Sequence, residues 1–151
     1  MSSELLKSAA SKYVLGLLCE DDLPTLATRA LEGGQDSPSM RELAGLTHSE
    51  IDEAVETFRR ALEEQKNDLP SKREAVIWLA KRLSAQIINA TISPYDGAKR
   101  IWRLSLRAPN EHFPELDSFI YAASEWEDRV EDRSAFDAGI LTAARDFMTD
   151  C

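Results

Sequence analysis

The chain has little of the chemistry by which a short sequence usually declares an activity. Its two cysteines, Cys19 and Cys151, stand in no spacing that forms a disulfide framework or a Cys/His metal site, so disulfide-stapled scaffolds are excluded as a class. Cys19 lies beside an apolar stripe and is read as a buried, inert thiol. The two histidines, His48 and His112, leave little for nucleophile–base chemistry; they read as a first-turn surface residue and a loop residue. There is no glycine-rich phosphate loop and no GxSxG elbow. The longest near-apolar run, from Tyr13 to Cys19, falls far short of the about 20 residues needed to cross a bilayer. Met1-Ser2-Ser3-Glu4 carries no cationic leader, so the expected location is cytoplasmic, without membrane contact.

Basic residues are also in deficit. Eighteen lysines and arginines face 27 acids, for a net charge of −9 and a pI near 4.7. Binding to nucleic acid or anionic lipid is opposed by that charge, and a protein, basic in character, is the expected partner. Hydrophobic residues at 43% and charged residues at 30% are those of a globular chain. A chain of 151 residues is expected to form one domain, spanning 1–151, and to bury about 68–70% of its unfolded surface.

The apolar pattern is helical throughout. Leu5, Leu6, Ala9, Ala10, Tyr13, Val14, Leu17 and Leu18 recur at four-residue spacing and predict a first helix. Glu20-Asp21-Asp22 offers an N-cap for a second over 23–31, which stops at Gly33-Gly34. Ser37-Pro38 opens a short third helix closed by Gly45. Thr47 with Glu50 forms a capping box for a fourth, running to about Gln65. Pro70, Ser71 and Glu74 launch a fifth, apolar on more than one face and read as the central, most buried helix. Ser93, Pro94 and Asp96 start a sixth, with Gly97 in its first turns. Leu116, Phe119, Ile120, Ala123 and Val130 mark a seventh, and Phe136, Ile140, Ala143, Ala144 and Phe147 an eighth. No segment alternates as a strand would. The expected fold is all-α, a single compact bundle of seven to eight helices.

Three constellations invite functional readings. Residues 39–51, a short helix, a glycine turn and a capped helix, resemble a helix-turn-helix, which implies a DNA-binding regulator. Glu50, Asp52, Glu53 and Glu56 on the would-be recognition helix would repel phosphates, so two packed helices are the preferred reading. Glu53 with Glu56, and Glu125 with Asp128, each place two carboxylates on neighbouring helical turns. In outline they resemble the all-α nucleotide pyrophosphohydrolases, which pair an ExxE helix with an ExxD helix; that resemblance implies Mg²⁺ held by these four carboxylates. The separation between the pairs exceeds that family's pattern, and no cofactor and no catalytic residue are assigned here.

Charge segregation is the third. The sixth helix carries Lys99, Arg100, Arg103 and Arg107 with no intervening acid, while Glu125, Glu127, Asp128, Glu131 and Asp132 crowd the end of the seventh. Acids at a helix C-terminus oppose the macrodipole by about 0.3–1 kcal/mol each, so something is expected to offset them. Arg129 and Arg133 nearby, or pairing with the sixth helix, are internal answers. The other is a cationic partner, docking on a surface built on Glu125, Glu127, Asp128, Glu131 and Asp132 with Trp126 as aromatic anchor, a tryptophan that equally suits the core. Trp78 and Trp102 are expected inside or at helix contacts.

Residues 37–45 and 92–98, with Ile101-Trp102, are similar to segments of small, uncharacterised bacterial helical proteins. That resemblance implies a bacterial, cytosolic origin and no particular activity. The leading expectation is a small acidic binding module, adaptor or immunity/antitoxin-like, with a metal-dependent hydrolase as the alternative.

Overall fold

The computed structural model describes residues 3–149, so Cys151 lies outside the described residues. Within them the chain is all-helical, with eight α-helices and no strand. It divides into two compact units, one up to Ser71 and one from Lys72.

The first unit holds α1 (Ser3–Val14), α2 (Leu23–Glu32), α3 (Pro38–Ala44) and α4 (Ala54–Glu64). Its core gathers Leu6, Ala9, Leu23, Ala27, Met40, Leu43, Phe58 and Leu62, with Tyr13 of α1 edge-on to Phe58 of α4 at 5.9 Å. The third helix starts as its sequence dictates, with the Ser37 hydroxyl accepting from the Met40 amide at 3.2 Å. At Thr47, Glu50 reaches back to accept from the threonine amide at 3.0 Å. That box opens a 3₁₀ turn, His48–Glu53, before α4 begins at Ala54. Asp22, expected to cap α2, ends a 3₁₀ turn instead: its backbone is already helical and its side chain caps nothing.

The second unit holds α5 (Lys72–Ile88), α6 (Pro94–Leu106), α7 (Asp117–Asp128) and α8 (Arg133–Thr149). Each packs on the next, and α8 closes back on α5. The fifth helix is therefore one wall of four rather than a central element, and Ile77, Trp78, Leu83 and Ile88 are only partly buried. Arg73 ties the loop before α7 to α5: it donates to the His112 carbonyl and to Glu115, and its guanidinium lies 5.1 Å from the Phe113 ring centroid. Burial alone would raise the Glu115 pKa, but hydrogen bonds from the backbone and from Arg73 outweigh it and lower it.

Four helices end in the same way. Behind α1, α2, α4 and α5 the chain turns through a residue with positive φ: Gly16, Gly34, Lys66 and Ala90. After α2, for example, Gln35 N donates to Ala30 O at 2.8 Å and Gly34 N to Leu31 O at 3.0 Å. This pair of bonds satisfies carbonyls that the helix end would otherwise leave open. Gly16 also explains why α1 stops at Val14, short of Leu17 and Leu18; Leu17 is exposed and so is Cys19, which is thus not the buried thiol expected of it. At Lys66 and Ala90 the left-handed conformation is held by residues with a Cβ, which costs about 1–2 kcal/mol. Ala90→Gly should therefore raise stability by about 1 kcal/mol in urea unfolding, after allowing for the extra freedom glycine gives the unfolded chain. A loss of stability would show that this turn is not strained.

The first turns of α6 are packed to their limit. Ser93 Oγ accepts from the Asp96 amide at 3.2 Å, and Pro94 takes the first helical position. Gly97 then faces α5: a Cβ built on it would come within 2.5 Å of Ile87 Cδ1 and 3.0 Å of Ile92 Cδ1. The helix-propensity cost of this glycine, about 1 kcal/mol, is the condition for that close approach. Gly97→Ala should destabilise by a net of about 1–2 kcal/mol despite the better helix former, since overpacking costs about 1–3 kcal/mol. Thermal unfolding of that single variant checks it, and a neutral or raised midpoint would contradict the close packing.

Candidate functional site

The acidic segment at the end of α7 is organised by Trp126. Its indole stacks on Tyr95 of α6, with ring centroids 3.9 Å apart and planes 13° from parallel. The Arg133 guanidinium, from the first turn of α8, lies 3.8 Å from the Trp126 ring centroid, and its Nε donates to the Trp126 carbonyl at 2.9 Å. Stacked aromatic pairs contribute about 0.5–1.5 kcal/mol beyond their buried area, and a cation over an indole about 0.5–2 kcal/mol. Trp126 is therefore a partly buried junction of three helices. Its Nε1 is buried without a hydrogen-bond partner. The nearby Asp137 carboxyl is pushed up by burial, and the indole N–H and Arg133 offset only part of that.

Glu127 is drawn back onto α6. Its Oε2 accepts from Lys99 Nζ and from the Tyr95 hydroxyl, both at 2.6 Å. Lys99 and Tyr95, in that order, hold the Glu127 pKa below the usual carboxylate range, and Arg103 adds to this at longer range. The same carboxylate raises the Tyr95 pKa, chiefly through their hydrogen bond. Arg129, capping α7, pairs with Glu125 at 3.5 Å and Asp132 at 3.0 Å. Lys99, Arg129 and Arg133 thus supply the cations that offset the macrodipole at this helix end. Of the three cations on α6 and Arg107 capping its end, Lys99 alone ion-pairs with the acidic segment among the described residues; Arg100, Arg103 and Arg107 are exposed.

What remains outward is a different set. Asp128 and Glu131 are exposed. Val130, expected in the core stripe of α7, sits in a 3₁₀ turn and is 62% exposed. Tyr121, on the outer face of α7, is 61% exposed, packed edge-on to Phe136 at 6.3 Å; Arg129 lies 5.7 Å from the same Phe136 ring centroid. Sequence reasoning missed Tyr121 and Val130. No sequence signal set Val130 apart, since it keeps the helical period from Ala123 although α7 ends at Asp128.

The four carboxylates proposed for Mg²⁺ fall in separate units, Glu53 and Glu56 in the first, Glu125 and Asp128 in the second. Glu56 is held by Arg59, whose hydrogen bond lowers its pKa. Glu53 precedes α4, where its carbonyl accepts from Thr57 Oγ1 at 2.8 Å. Among the described residues no three His, Cys, Asp or Glu side chains converge as a metal-binding group, and no helix is long and apolar enough to cross a membrane. Trp78 and Trp102 are both partly buried, under Arg82 and Lys99 respectively.

Compared with family models, with curated proteins and with solved structures, the chain matches none.

The two titrating carboxyls at the junction act in opposite senses. Glu127, lowered by its partners, contributes stability above the ordinary carboxylate pKa and loses it as pH falls through its own lower value. Asp137, raised, costs stability as pH rises from its ordinary value of 3.8 through its higher one. Glu127→Gln keeps an acceptor for Tyr95 but removes the charge that holds Lys99. The variant should melt below the native protein at pH 7, and the two melting temperatures should converge as the pH falls below the carboxylate range. A constant gap across that window would place the Glu127 contribution elsewhere than in its charge.

Proposed function

We propose that the outer surface at the end of α7 docks a basic protein, so that the chain works as an acidic binding module of the adaptor or immunity type. The observation that supports this reading is the exposure of Tyr121 and Val130 beside Asp128 and Glu131, carboxylates that the junction around Trp126 leaves facing water. Aromatic side chains at the centre of a patch with charges at its rim are the composition that binding energy concentrates in. The rim carboxylates would steer a cationic partner and set the salt dependence of its arrival. Glu125, Glu127 and Asp132 belong to the support of this surface, since their charges are already engaged by Arg129 and Lys99. Trp126 holds the surface in place, and the anchor role passes to Tyr121.

The reading also places the surface in cytoplasm of bacterial type, with no cofactor at the interface. Capture from a lysate of the source cells, run with the native chain and with Tyr121→Ala combined with Asp128→Lys and Glu131→Lys, tests it. The native chain should retain a basic protein at low salt and release it as salt rises, and the triple variant should retain it at least tenfold less. Retention of no basic protein, or equal retention by the variant, would overturn the reading.

A further inference from the structure

The acidity of the chain is not spread evenly. Up to Ser71 it has fourteen acidic against seven basic side chains, and from Lys72 thirteen against eleven. In the strongly acidic first unit most arginines are already matched. Arg41 pairs with Asp36 at 3.0 Å, Arg60 with Glu42 at 3.1 Å, and Arg59 with Glu56 and Glu63. Arg29 is the arginine left over, and among the unmatched lysines Lys12 lines the same groove. Both line one groove between α1 and α2, and neither forms an ion pair among the described residues.

That groove has about 330 Å³ of room, at the small end of the about 300–1,000 Å³ typical of ligand sites. Its apolar wall is Leu5, Leu18 and Leu26, all partly buried against the core of the unit. One acid, Asp22, also lines it. Two cations and one carboxylate leave a single positive charge beside an apolar wall, in a unit whose net charge is negative.

We infer that this groove binds a small amphiphilic monocarboxylate, a medium-chain fatty acid anion in chemical class, with its chain on Leu5, Leu18 and Leu26 and its carboxylate between Lys12 and Arg29. The single net charge selects a monoanion, because Asp22 opposes a second negative group. The apolar wall rejects small inorganic anions, which gain nothing from it. An uncharged chain of the same length loses the two cations.

Titration calorimetry of the full chain at low salt, with octanoate, octan-1-ol and acetate as probes, tests this. Octanoate should bind at least fivefold more tightly than either comparator. In the variant Lys12→Gln with Arg29→Gln, octanoate binding should weaken at least fivefold while octan-1-ol changes less than twofold. Both substituted side chains are exposed, so circular dichroism should be unchanged; if the double variant does not fold, Lys12→Gln alone is read in its place with a twofold threshold. Absence of octanoate binding, or any ratio below these thresholds, overturns the inference.

Discussion

The junction of Tyr95, Trp126 and Arg133 is the constraint on which the second unit's functional surface depends. One indole is shared by the first turn of α6, the last turn of α7 and the first turn of α8. Two termini meet there whose dipoles and charges would otherwise be unbalanced. The Arg133 bond to the Trp126 carbonyl satisfies one of the open carbonyls of α7 and brings a cation to its negative end. The Glu127 bonds to Lys99 and Tyr95 fix the side of α7 that faces α6. Once that side is fixed, the helix has no freedom about its axis, and Tyr121 is left on the outer face.

The same constraint sorts the acidic residues into two kinds. Glu125, Glu127 and Asp132 have cationic partners within the fold, and their charge is spent on holding helix ends together. Asp128 and Glu131 have their carboxylates in water. A count of acids in residues 125–132 does not distinguish them, and neither does the net charge of the chain, most of which resides in the first unit. In that unit the acids meet arginines in local or neighbouring-helix pairs, and Glu64 of α4 accepts from both the amide and the hydroxyl of Ser39 at the start of α3, at 2.9 and 2.6 Å. Those bonds from Ser39 hold the Glu64 pKa low.

Close packing rather than propensity decides several positions. Gly97 is a poor helix former kept where Ile87 and Ile92 leave no space for a Cβ. Lys66 and Ala90 take a backbone conformation that glycine would hold more easily. Ala90 lies one connection before Ser93 and Pro94, so the strained turn and the tightly packed start of α6 together set how α5 hands the chain to α6.

By itself the sequence determined the all-α class, the number of helices and most of their starts, because those follow from four-residue apolar spacing and from local caps such as Ser37-Pro38 and Ser93-Pro94, whose partners lie within one helical turn. It also carried the acidic segment and the glycine that marks a close approach. It missed the 3₁₀ turns ahead of α2, α4, α7 and α8, where caps open a tighter turn first, and the left-handed turns at Lys66 and Ala90, where no glycine announces them, although it placed the end of α4 near Gln65. Only the tertiary structure decided that Trp126 is covered and Tyr121 and Val130 are not, that Lys99 rather than Arg100 or Arg107 meets Glu127, and that Lys12 and Arg29 share a groove. The reason is physical: each of these depends on residues from different helices or turns meeting in space, and the rotation of a helix about its axis is set by what it packs against, not by its own period.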